Sequence, residues 1–134
     1  MYTIKDHKMT PTRVTALVCL LFMFAMSGCT KIVRLGNIQT RQFTEVFGLS
    51  TSLAILIVFL AGVWECAAVG AILYGETQKS RKHVQYGLIS LIAFTIIATL
   101  IFKVYPKFKK TQVLANMSVF GGLLLYYLCT KEGN

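Results

Sequence analysis

Hydrophobic residues in this chain fall in long blocks, and charged residues fall between the blocks. A helix that rests on a soluble core keeps one polar face for water. The blocks here are apolar all the way round, which fits lipid better than water. They cover residues 14–30, 49–74, 84–102 and 112–129. A spanning helix needs about 20 mostly apolar residues, within a range of about 17–25. The second and third blocks meet that by length alone, whereas the first and fourth sit at the lower limit and lean on their flanks. Transmembrane strands need alternation and a closed barrel, and this chain has no such alternation. The pattern predicts an all-α fold: a transmembrane four-helix bundle, one domain over residues 1–134.

The connections sharpen this reading. The first, residues 31–48, mixes Ile32, Val33, Leu35, Ile38, Phe43, Val46 and Phe47 with Lys31, Arg34 and Arg41. It reads as an interfacial segment with a short helix around Arg41–Phe47. The second, Gly75 to His83, is a basic turn. The third holds Lys103, Lys107, Lys109 and Lys110 around Pro106, which cannot continue a helix. Four crossings put both termini on one side, and Tyr74, Tyr86, Tyr126 and Tyr127 all fall at span ends facing that side, where tyrosine rings favour the headgroup level. Orientation is undecided. Lys5, Lys8, Arg13, Lys79, Arg81, Lys82 and Lys131 on the terminal side balance Lys31, Arg34, Arg41, Lys103, Lys107, Lys109 and Lys110 on the other. The first block also has a rival reading. Basic residues precede it, and Met26-Ser27-Gly28-Cys29 resembles a lipoprotein cleavage box. A retained first helix makes an even bundle and is the expectation here.

Composition agrees with the pattern. Of 134 residues, 55% are hydrophobic and 14% charged, with a net charge of +9. In a soluble domain that charge would raise nucleic-acid binding. Here the basic residues sit at block ends, where they meet phospholipid headgroups, so the expected partners are the bilayer and a membrane protein, not nucleic acid. The expectation is a multi-pass integral membrane protein; plasma or inner membrane and endoplasmic reticulum are not distinguished. Four cysteines form no C-x-x-C and have no histidine at zinc-ligand spacing, so no metal site is expected.

One ionisable residue stands inside the blocks. Glu65, within Val63-Trp64-Glu65-Cys66-Ala67, is about 13 Å along the helix from Tyr74. A charge at such depth costs roughly 2.5–3.5 kcal/mol on insertion scales, which protonation or donors inside the bundle would offset. Glu65 reads either as a proton-handling or ligand-binding group, or as a neutral acid bonded to a neighbouring helix. Span geometry brings Ser90 and Tyr126 into its half of the membrane as candidate partners, together with Thr15 and Cys19. Ser27, Thr95, Thr99, Asn116 and Ser118 form a polar layer in the opposite half, expected to be helix–helix hydrogen bonds. Cys19 and Cys66, at comparable depth, are candidates for a redox pair, though two unrelated packing cysteines are the simpler reading. Gly62, Cys66 and Gly70 on one helix face, and Gly121-Gly122, are expected to let backbones approach closely.

The order of these features resembles the DoxX family of small four-helix membrane proteins. The likeness is carried by Gly28-Cys29-Thr30-Lys31 at the end of the first span, Phe43 to Gly48-Leu49 in the connection, and Trp64-Glu65-Cys66 through Gly70 to Gly75. The stretches Ala93 to Phe102 and Leu114 to Leu125 carry it further. Where many relatives place a histidine after the third span, Lys103 stands here, so no role of that histidine is carried over. The resemblance implies a four-helix bundle with Glu65 facing inward. It fixes activity less, because relatives include a subunit of a thiosulfate:quinone oxidoreductase, membrane partners of oxidative-stress proteins and receptor assembly chaperones.

Three functions follow as expectations. The first is a non-catalytic accessory, assembly or scaffold component without a cofactor, since no nucleophile–base pair or nucleotide loop is visible. The alternative is a quinone-linked redox subunit with Glu65 as proton acceptor. The third is a small transporter or channel, for which no inverted repeat is visible.

Overall fold

The computed structural model describes residues 11–34, 38–101 and 110–132. The basic tail with Lys5, His7 and Lys8, and the stretch 102–109 with Lys103 and Pro106, lie outside the described residues. The described residues form five helices: α1 (Pro11–Val33), α2 (Ile38–Phe47), α3 (Thr51–Thr77), α4 (Arg81–Thr99) and α5 (Lys110–Glu132). Four of them, all but α2, are long and apolar enough to cross a membrane. The chain is an all-α, multi-pass membrane protein.

Local sequence explains where the elements begin and end. Pro11 occupies the first turn of α1, where its missing N–H costs nothing. Gly48, at φ 64°, ends α2 in a left-handed turn, and Ser50 caps α3 by accepting from the Leu53 amide at 3.4 Å. The short helix in the first connection begins at Ile38, three residues before the expected start. At the far end of α3, Lys79 takes φ 52° in a tight turn, and α4 starts at Arg81. The largest difference from expectation is in α1. The apolar pattern ends that span at Thr30, yet the helix runs one turn further and takes Lys31 with it.

α3 is the centre of the bundle. It packs against α1 on one side and α4 on the other, while α5 leans on α4 and touches α1 only lightly. α2 covers the first turns of α3, where Phe43 meets Ala54 and Val58. The main core joins Leu17, Leu21 and Phe24 of α1 to Ile72 of α3, Leu88 and Leu91 of α4, and Leu123 of α5. Large apolar side chains also point outward: Phe22, Leu114 and Leu125 are 63–65% exposed. In water such a surface would drive aggregation; in lipid it is the ordinary solvent-facing side.

Lipid tails are as apolar as leucine, so apolar burial does not pull these helices together; close packing and polar contacts do. The close contacts lie at glycines. A Cβ on Gly62 would come 2.8 Å from the Gly28 carbonyl oxygen and 3.0 Å from the Lys31 Cβ. The α3–α4 seam is similarly tight at Gly75 and Gly87, which approach Val84 and Ile72. The expected roles of Gly70 and Gly121 do not hold: a Cβ at either meets nothing within 4 Å, and at Gly122 only Leu20, at 3.6 Å. Helical spacing of small residues marks a face, but which face meets a neighbour depends on the rotation of the helix.

Gly62→Ala should therefore lower the thermal midpoint in detergent by several degrees, from an overpacking cost of about 1–3 kcal/mol, whereas Gly70→Ala should be neutral. Equal losses from the two substitutions would contradict the α1–α3 register.

Candidate functional site: a charge pair inside the bundle

α1 and α3 run antiparallel and cross at Gly28 and Gly62. One turn along α1 from Ser27, Lys31 projects from the same face, as residues four apart on a helix do. The glycine contact brings α3 close enough for Glu65 to meet both. Lys31 Nζ lies 2.6 Å from Glu65 Oε2 and also donates to Ser27 Oγ at 3.0 Å. Ser27 in turn donates to Glu65 Oε1 at 3.3 Å. The two charged side chains are only 7% and 3% exposed. The ammonium also sits 5.0 Å from the centroid of the Phe94 ring, a cation–π contact from α4.

A lone charge here would be costly, and two opposite charges in contact with their hydrogen bonds made offset most of that cost. This is why α1 can carry a lysine into the bundle. The apolar pattern alone leaves Lys31 in the connecting loop, because the first charge after the block marks its end. The missed signal was a pairing rule: a basic residue at the end of one span and a single acid within the next can neutralise each other.

The structure also revises the partners expected for Glu65. Ser90 does not face it; Ser90 Oγ accepts from Trp64 Nε1 at 2.6 Å. Tyr126 does not either. It donates to Glu76, eleven residues along α3, or about 16 Å away. Ser90 is at the depth of Glu65 but meets the neighbouring residue on another face of α3, whereas Tyr126 lies nearer the end of α3. Thr15 bonds to its own helix at the Pro11 carbonyl.

The layer assigned to the opposite half proves to share the Glu65 level in part. Ser27, Thr95 and Asn116 line the same cavity as Lys31 and Glu65, a space of about 230 Å³. Of the expected helix–helix hydrogen bonds, two are present among the described residues: Ser27 to Glu65, joining α1 to α3, and Asn116 Nδ2 to Thr99 Oγ1 at 2.9 Å, joining α5 to α4. Thr95 and Ser118 instead donate to their own helices, at the Leu91 and Leu114 carbonyls, and Ser118 is exposed. A second cavity of about 260 Å³ lies between α2, α3 and α4 and is almost wholly apolar.

Cys19 and Cys66 are not neighbours. Cys19 lies on the exposed side of α1, and Cys66 is half-buried on α3, with its Sγ beside Gly28 of α1. Cys66 Sγ is among the atoms nearest Gly28, which adjoins Cys29 and lies more than two turns from Cys19. Among the described residues, no three His, Cys, Asp or Glu side chains converge as metal ligands would.

Lys31→Met and Glu65→Met should each destabilise the fold by about 3–5 kcal/mol, because each leaves one buried charge unpaired. The double variant Lys31→Met/Glu65→Met should recover most of that loss. Thermal unfolding of the four proteins in one detergent measures the coupling, and additive losses would show that the pair does not act as a unit.

No family model, no characterised protein and no solved structure matches this chain, so the geometry of the bundle is what any reading of its function rests on.

Proposed function

We propose that this chain is a non-catalytic accessory or assembly component of a membrane complex, of the kind implied by its resemblance to the DoxX family. The observation that carries the reading is the position of α5. Only 11% of its apolar stretch is buried within the bundle, against 28–33% for the other three spans. α5 thus offers a membrane-embedded surface, with Leu114, Met117 and Leu125 outermost, to a second membrane protein. Its tie to the rest is Leu123 in the core, flanked by two polar contacts, Asn116–Thr99 at one end and Tyr126–Glu76 at the other.

The charge pair supports the same reading. Glu65 is already engaged by Lys31 and Ser27, so it serves the α1–α3 contact before any chemistry. The quinone-linked alternative has less support, since Cys19 and Cys66 do not face each other and Glu65 is not a free acceptor.

Photo-crosslinking in native membranes tests the proposal. A benzophenone side chain at Leu125 should give one discrete protein adduct, and the same group at Phe22 on the outer face of α1 should not. A folded Glu65→Gln protein should keep the adduct. Turnover of a substrate by the purified chain alone, or identical patterns from both positions, would overturn the reading.

A further inference from the structure

The two cavities around the charge pair share a wall made of Lys31, Gln39, Phe94 and Ala98. On one side lies the polar space of about 230 Å³ containing Glu65, and on the other the apolar groove of about 260 Å³. Neither alone reaches the range of roughly 300–1,000 Å³ usual for small-molecule sites, but the two together do. The rim of the groove is formed by Leu60, Trp64 and Ile97, which are 41–54% exposed. In a spanning bundle that rim faces lipid.

We propose that the two cavities form one binding site for an uncharged single-chain lipid whose head carries hydroxyl groups, of the monoacylglycerol or long-chain alcohol class. The tail lies in the groove beside Trp64, and the head reaches past Phe94 to Lys31 and Glu65. The head class follows from charge. The pair is neutral as it stands, so an anionic or cationic head would add an uncompensated buried charge. A hydroxyl both donates and accepts, and the pair offers both functions. An ammonium has three N–H groups, of which Lys31 gives two to Glu65 and Ser27, and a carboxylate accepts more bonds than the two Glu65 receives. The inference does not depend on the accessory role proposed above.

Trp64 is the single tryptophan of the chain and reports on the groove directly. The protein is reconstituted in phosphatidylcholine bilayers, and its fluorescence is followed as a monoacylglycerol brominated on its chain is added. Quenching should saturate at a mole fraction well below that needed with phosphatidylcholine brominated at the same carbons. Lys31→Met/Glu65→Met, which leaves no unpaired charge, should raise the half-quenching mole fraction roughly tenfold, as loss of one or two hydrogen bonds to charged groups would. Ala98→Phe, which fills the shared wall, should abolish the saturable component while helical circular dichroism and monodispersity are kept. Superimposable curves for the two brominated lipids, or an Ala98→Phe protein that quenches like wild type, would overturn the site. A brominated fatty acid acting at the same mole fraction as the monoacylglycerol would overturn the uncharged-head assignment.

Discussion

The bundle depends on one contact, the ion pair between Lys31 and Glu65. A membrane interior tolerates a charge only when its partner is within reach, and here the partner is on the adjacent span at 2.6 Å. Several features of the fold can be read as conditions for that contact. Gly28 and Gly62 have no side chains because the backbones must approach closely there. Ser27 bridges the two charges because each retains bonding capacity the other does not fill. Phe94 closes the ammonium from the α4 side. α1 runs a turn past its apolar block because only then does Lys31 reach Glu65.

Such a pair contributes less to net stability than to specificity. Desolvating two ions cancels much of their attraction, and apolar replacements of the same volume often fold as well. What the pair does fix is register. In lipid, apolar helices slide and rotate against one another at little cost, since every face is equally at home. A charge that must meet its opposite selects one alignment of α1 on α3. The α3–α4 seam shares the glycine device, at 75 and 87, and α5 joins through Leu123 in the core and the Asn116–Thr99 bond. Of the four spans, α5 is the most loosely held.

Much of this was legible in the residues. Four apolar blocks, with Glu65 as the one charge inside them, match four spanning helices, and the mixed connection matches α2, because apolar length is a property of the sequence alone. Glu65 stood out for the same reason. The partners of Glu65 were not legible by counting depth from block ends, which assigned Ser90 and Tyr126 to it and left Lys31 in a loop. Helix rotation and the true end of α1 decide those contacts, and both are set by tertiary packing. The same cause gave contact roles to Gly70 and Gly121, while the simpler reading of Cys19 and Cys66 as unrelated cysteines agrees with their separate places. The shared cavities had no linear signature, since their walls come from all five helices.

The contact itself can be measured in a bilayer. Protein carrying ¹⁵N at lysine side-chain nitrogens and ¹³C at glutamate carboxyl carbons reports lysine–glutamate proximity by solid-state dipolar recoupling. Among the described residues Lys31–Glu65 is the one such pair, the other salt bridge being Arg41–Glu45. The structure predicts one strong coupling, consistent with the 2.6 Å contact, that disappears in Lys31→Met. No short lysine–glutamate coupling, or one that survives that substitution, would contradict the account.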